Sequence, residues 1–404
     1  MSTTLNKPAE TYSPLYFLAS LGAGGLAASF YMYLLFWIPR PGQPVTVFEN
    51  IAAAFENGSV LMQAMIAFSV TAIAILAYLN ISYLIWNLKA YSAFKKTENY
   101  KALLKSNAET TLMAMPLAIA MSINVGFLVG MVFVPGLWSV VEYLFPLAMI
   151  GFALTGWLAL RIIGRFLGRV LSQGGNFDMA GNNSFAQLLP AFAFSMIGVG
   201  FAAPAAMSTN AVAAGISLIG SSFFGVAAVI YVVVAGVIAF NSMLKHGTAK
   251  ESSPTILVLV PVMTVLAILF MRQNYGLQAT FGDQQASTGN LVLMARLMAV
   301  QGVFLLLGLA LMKHHGYFKD FVFGSQTSPG SYALVCPGVA LSVMLHFFVN
   351  KGLVGAGIID KYSLAFWMIS AIAAGLQFAM VALVLRLNKQ HFSKPAKGAT
   401  IAAE

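Results

Sequence analysis

Apolar residues in this chain come in long runs, and polar residues come in short groups between them. Ten runs are long enough to cross a bilayer as helices: Pro14–Ile38, Val60–Leu88, Thr110–Phe133, Trp138–Ile163, Phe185–Met207, Val212–Phe240, Pro254–Phe270, Gly289–Met312, Ser331–Phe348 and Ser363–Leu387. A spanning helix needs about 20 mainly apolar residues, and the seventh run is the shortest of the ten. No long polar segment separates the runs. The pattern predicts an all-α integral membrane protein with one membrane domain over 14–387, a polar tail at 1–13 and another at 388–404. The first run is longer than the core of a signal peptide, about 7–15 residues, and is read as retained.

The odd-numbered runs share a mark. Each has a proline near its start: Pro14, Pro116, Pro190, Pro261 and Pro337. Around two of them the sequence repeats. Pro116-Leu-Ala-Ile-Ala-Met-Ser-Ile-Asn-Val-Gly-Phe127 and Pro190-Ala-Phe-Ala-Phe-Ser-Met-Ile-Gly-Val-Gly-Phe201 both read P-x6-I-x-V-G-F. Proline removes a backbone donor and bends a helix. These five positions are therefore expected to be helix kinks where freed backbone faces a cavity. A repeated, proline-marked helix predicts five tandem hairpins around a central path.

Composition agrees with the pattern. Hydrophobic residues make up 59% of the chain and charged residues 8%, against about 25% charged in soluble domains. The charges also sort by side. Seventeen of the 22 basic residues fall on one side, at the far ends of even-numbered runs, in the connections after them or in the tails: Lys7, Lys89, Lys95, Lys96, Lys101, Lys105, Arg161, Arg165, Arg169, Lys245, Lys250, Lys313, Lys319, Arg386, Lys389, Lys394 and Lys397. Four follow odd-numbered runs, namely Arg40, Arg272, Lys351 and Lys361, and Arg296 falls inside the eighth. The positive-inside rule then puts both termini in the cytoplasm, with the chain in the cytoplasmic (inner) membrane. The net charge of +10 is explained by this face, without a nucleic-acid partner.

Ionisable groups inside a membrane are costly and usually functional. Here they are few: Glu142 near the start of the fourth run, Arg296 in the eighth and His346 near the end of the ninth. No run holds the lysine a retinal pump needs or the paired histidines of a haem anchor. The single cysteine, Cys336, allows no internal disulfide. No metal, cofactor or catalytic cluster is expected, so the chain does not read as an enzyme. A path without carboxylates suits an anion. Its polar candidates are Ser122, Asn124, Ser195, Thr264 and Ser342 in the odd runs, with His346 and Arg296; small polar residues of this kind also serve helix packing. Phe127, Phe192, Phe194 and Phe201 are candidate constrictions. Two other readings stay open, a proton-coupled carboxylate carrier using His346 or Glu142, and a non-catalytic membrane anchor subunit.

The arrangement, with Ser13-Pro14-Leu-Tyr-Phe-Leu, Leu112-Met-Ala-Met-Pro116, Asn183-Ser-Phe-Ala-Gln-Leu-Leu-Pro190 and Ser331-Tyr-Ala-Leu-Val-Cys-Pro337, resembles the tellurite-resistance/dicarboxylate transporter family. That family includes slow-type anion channels, malate carriers and sulfite exporters. The resemblance implies a pore lined by the odd helices, an outer ring of even helices, a homotrimer in the lipid bilayer, and small anions as substrates: inorganic anions, sulfur oxyanions or small carboxylates. In the family's channels a phenylalanine just before the ninth-helix proline occludes the pore. Cys336 stands there in this chain, so the gate is expected at another aromatic, with Tyr332, Phe192 and Phe194 as candidates, or in a moving carrier.

Overall fold

The computed structural model describes residues 9–173, 177–282 and 288–392. Lys7, Lys394 and Lys397, and most of the two polar tails, lie outside the described residues. Among the described residues there is no strand, and ten helices are long and apolar enough to cross a membrane. Their α-helical parts are α1 (Phe17–Trp37), α2 (Val60–Phe94), α3 (Ala114–Phe133), α4 (Val141–Gln173), α5 (Leu189–Met207), α6 (Ala211–His246), α7 (Leu259–Phe281), α8 (Thr288–His314), α9 (Val335–Phe347) and α10 (Leu364–Phe392).

The ten fall into two classes that hydropathy alone does not separate. Of the most apolar stretch of each odd helix, 61–94% is buried; of each even helix, 17–44%. An odd helix is therefore largely enclosed by protein, α3 least of the five. An even helix turns large apolar side chains outward, as α6 does with Ile219, Val226, Ile230 and Val237. In water such a face would be unstable; in hydrocarbon it matches the solvent. Each odd helix packs on the even helix that follows it, and the odd helices touch in the cycle α1, α3, α5, α7, α9 and back to α1.

Every odd helix begins with a 3-10 segment: Pro14–Tyr16, Asn107–Met113, Phe185–Leu188, Lys250–Val258 and Pro329–Leu334. Four of these open on a serine whose hydroxyl accepts a backbone N–H two residues on: Ser13, Ser106, Ser184 and Ser328. Such a side chain satisfies one of the donors a helix start leaves free. The five segments also touch in a closed cycle, at the end where the odd helices start.

This geometry corrects the expectation for the prolines. None of the five kinks a helix interior. Pro116, Pro190, Pro261 and Pro337 stand in the first turn of α3, α5, α7 and α9, and Pro14 opens its 3-10 turn. In a first turn the missing N–H has no intrahelical partner to lose. All five are buried.

The helix lengths also differ from the expected runs. The even helices continue past them, α2 to Phe94, α4 to Gln173 and α6 to His246, so the basic groups sit on helical ends rather than in loops. Cations there suit the negative end of the helix dipole. One such end is pinned: Glu109, before α3, is buried and accepts from Arg165 (2.6 Å) and Arg169 (3.1 Å) of α4. The largest change is in α7, which extends eleven residues beyond Phe270 to Phe281 and carries Arg272 within it.

Candidate functional site

A cavity of about 260 Å³ lies inside the cycle of odd helices, and all five contribute to its wall. At the starting end of these helices the lining stops at Leu21, Met121, Phe192, Pro261 and Cys336. Below that level Phe17, Leu117 and Val335 of the first helical turns and Leu188 and Leu257 of the 3-10 layer are buried. At the other end the lining reaches Leu35, Met131, Met207, Arg272 and Phe347, and Val45 joins it from the connection after α1.

The wall is mostly apolar. Its polar members are Tyr31, Asn124, Thr264 and Arg272, with the Cys336 thiol. Most of their hydrogen bonds are directed away into backbone. The Asn124 amide donates to Ala120 O (3.0 Å) and the Thr264 hydroxyl to Ala340 O (3.0 Å). Thr264 also accepts from Gln301 (2.6 Å), a fully buried residue of α8 that reaches in from the outer layer. Tyr31 donates to Thr46 O (2.5 Å), fastening the connection that carries Val45.

Arg272 is the exception. One guanidinium nitrogen donates to Val199 O (2.9 Å). No carboxylate pairs with it among the described residues, and no carboxylate or histidine lines the cavity. Further cations stand at the same end of the odd helices. Lys351 lies over the Tyr275 ring at 5.3 Å, and Arg40 is half-buried, where burial pushes its guanidinium below its ordinary value. Reading the seventh run as ending at Phe270 hid Arg272 in a loop. The signal that could have recovered it is apolar and amide residues continuing to Phe281 without a proline or a glycine pair.

The structure brings some of the sequence candidates together and separates others. Asn124, Phe127, Phe192, Pro261, Thr264 and Cys336 line the cavity. Phe194 and Phe201 do not: they pack on Phe224 of α6, at 6.1 and 5.8 Å between ring centroids. Phe127 and Phe201 occupy the same position of the sequence repeat, but α3 and α5 are rotated differently about their axes, so only Phe127 faces inward. Tyr332 lies in the 3-10 layer, where its hydroxyl donates to Asn388 (2.7 Å). The Ser195 hydroxyl donates to Phe192 O (2.9 Å) within its own helix. Ser122 and Ser342 are buried off the cavity, as is His346, which packs edge-on beside the rings of Tyr33 and Trp37. Arg296 is exposed on the outer side of α8. Glu142 accepts from Ser208 (2.6 Å) and Thr209 (2.7 Å from its N–H) and so holds the α5–α6 connection.

Three residues of α4, an even helix, were not foreseen: Phe145, Ala148 and Phe152. Phe152 of α4 reaches the cavity through a gap left by Gly200 of α5, and Phe145 reaches it about two helical turns earlier. A second, apolar crevice of about 430 Å³ lies between α3 and α4 and shares Phe127 and Ala148 with the central cavity. Comparison with family models gives no match, and comparison with curated proteins gives none either.

Proposed function

We propose that this chain is an anion channel or transporter of the tellurite-resistance/dicarboxylate family, and that the central cavity is its path. The odd helices form the wall and the even helices the lipid-facing ring, as five tandem hairpins. The observation that carries this reading is Arg272: a cation on a mostly apolar wall, with no carboxylate beside it among the described residues. A cation would be repelled there, and a neutral solute would leave the guanidinium uncompensated. A small anion supplies the missing charge, and Arg272, the one cation on the lining among the described residues, attracts it without a second wall charge to trap it.

The gate in this reading is Phe192, on the same innermost level as Cys336. The thiol is too small to close the space, and the benzyl ring from α5 takes the place that the family's channels give to the ninth helix. The basic helix ends support cytoplasmic termini in an inner membrane, and the family resemblance supports a homotrimer with one path per protomer.

The test is anion flux in liposomes holding the purified full chain, over a panel of chloride, nitrate, sulfite and a small dicarboxylate. Saturable flux of at least one anion, weakened in Arg272→Gln, is expected. A folded protein that moves none of them would favour the membrane-anchor reading instead.

A further inference from the structure

Six buried polar atoms without a protein partner gather where α1, α9 and α10 meet. They are Nε1 of Trp37, Oγ of Ser342, Nδ1 and Nε2 of His346, Oγ of Ser370 and Nε2 of Gln377. Ser342, His346 and Gln377 have 0% exposure and Ser370 has 2%, so bulk solvent does not serve them. Tyr33 ties Trp37, His346 and Gln377 together, and the two serines continue the same helix faces. The Tyr33 ring lies 5.4 Å from that of His346 and 4.6 Å from that of Trp37, and its hydroxyl donates to Oε1 of Gln377. Ser342 precedes His346 by one helical turn, and Ser370 precedes Gln377 by two, so each pair shares a helix face.

Buried polar groups are nearly always hydrogen-bonded, and a cluster left open calls for an occupant. The chemistry of the atoms selects it. One imidazole without a carboxylate or thiol is no site for a divalent cation. An apolar ligand, such as a lipid tail, would leave all six atoms unpaired. The set mixes donors (the indole N–H, the amide, one imidazole nitrogen) with acceptors (the other imidazole nitrogen), and the serine hydroxyls serve as either. Water donates and accepts at once. A buried water makes about three hydrogen bonds, so six open atoms correspond to about two waters.

We propose that the seam between α1, α9 and α10 is a hydration site holding about two ordered waters, in the ratio just given, which join His346 and Ser342 of α9 to Trp37 of α1 and to Ser370 and Gln377 of α10. The site is separate from the central cavity, since none of these five residues lines it. It does back the cavity wall: Val343 and Phe347, on either side of His346, are lining residues. At this level α9 is held to its neighbours through water, not by direct side-chain bonds, and the inference stands whether or not the cavity conducts anions.

Two measurements on the full chain test it. In a density map fine enough to show buried water elsewhere in the protein, peaks are expected within hydrogen-bond distance of the His346 ring and of Gln377 Nε2. A map with no peak there, or with His346 turned onto a protein partner, overturns the proposal. Radiolytic hydroxyl labelling reads the same water without a map, because the radical forms from water close to the side chain. Tyr33 is expected to label severalfold more than Tyr317 and Tyr332, a larger excess than their exposures of 4%, 0% and 1% account for. In the variant His346→Leu with Gln377→Leu the excess at Tyr33 should be lost. Equal labelling of the three tyrosines in the unaltered protein means a dry seam.

Discussion

A guanidinium that spends one donor on a backbone carbonyl and has no carboxylate nearby leaves most of its hydrogen-bonding capacity facing the cavity. A hydrogen bond to a charged group contributes about 1.5–3 kcal/mol. Arg272→Gln should therefore raise the anion concentration for half-maximal flux by about 10- to 100-fold, at about 1.4 kcal/mol per tenfold. Arg272→Lys keeps the charge but loses the planar fork, and should fall between the two. Unchanged concentration dependence in Arg272→Gln would mean that this residue only braces α5 through Val199. At the opposite end of the cavity, size decides instead of charge. Cys336 and Phe192 border the innermost level together. Phe192→Ala should raise flux and Cys336→Phe should lower it sharply, each in protein shown to be folded. If Phe192→Ala leaves flux at the starting value, the closure lies deeper, in the 3-10 layer.

Between elements, the contact of α4 with α5 shows how an outer helix reaches the cavity. A methyl group built on Gly200 would overlap the Phe152 ring, so the glycine is what admits the aromatic. Overpacking of this kind costs about 1–3 kcal/mol. Gly200→Ala should lower the melting temperature in detergent, and adding Phe152→Ala should recover part of the loss; additive losses would mean that the two residues do not press on each other. The same contact marks the limit of what the amino-acid pattern discloses. Ten apolar runs and the difference in proline placement were legible, because transfer of a run from water to hydrocarbon depends on composition alone. The split into enclosed and lipid-facing helices was not legible from hydropathy, since protein interior and lipid are equally apolar. Nor was the rotation of each helix, which is why Phe127 and Phe201 repeat in sequence and part in space. Arg272 was missed because a charge ends a hydropathy run even where the helix continues. The capping serines Ser13, Ser106, Ser184 and Ser328 were present in the sequence, and they mark the 3-10 starts more accurately than the prolines mark kinks.

For the molecule as a whole, charge sets orientation and the cavity sets coupling. Basic residues crowd the far ends of the even helices, and a bilayer crossed ten times then has one strongly positive face. In a Cys336→Ser background, single cysteines at Lys95 and at Glu56 are both on exposed positions, at the end of α2 and on the short helix Phe48–Asn57 before it. They should label from opposite sides of the membrane, Lys95 from the cytoplasm; labelling from one side would overturn the topology. Coupling follows from which groups face the cavity. Proton-driven transport needs a group that exchanges protons in the working range, and histidine is the side chain that ordinarily does so, at about pH 6.5. His346 is walled off from the cavity, Glu142 is held by Ser208 and Thr209, and no carboxylate or histidine lines the cavity among the described residues. The shift of Arg40 lowers a titration that begins far above neutral pH, so it adds no group in that window. Anion flux should accordingly stay constant between about pH 6 and 8, the interval in which an ordinary histidine titrates. It should follow the membrane potential, and a pH gradient alone should not drive anion uphill. Liposomes with the potential clamped by potassium and valinomycin separate the two forces. Uphill uptake on an imposed proton gradient would replace the channel-like path with a proton-coupled carrier, and would point to a conformation in which His346 meets the cavity.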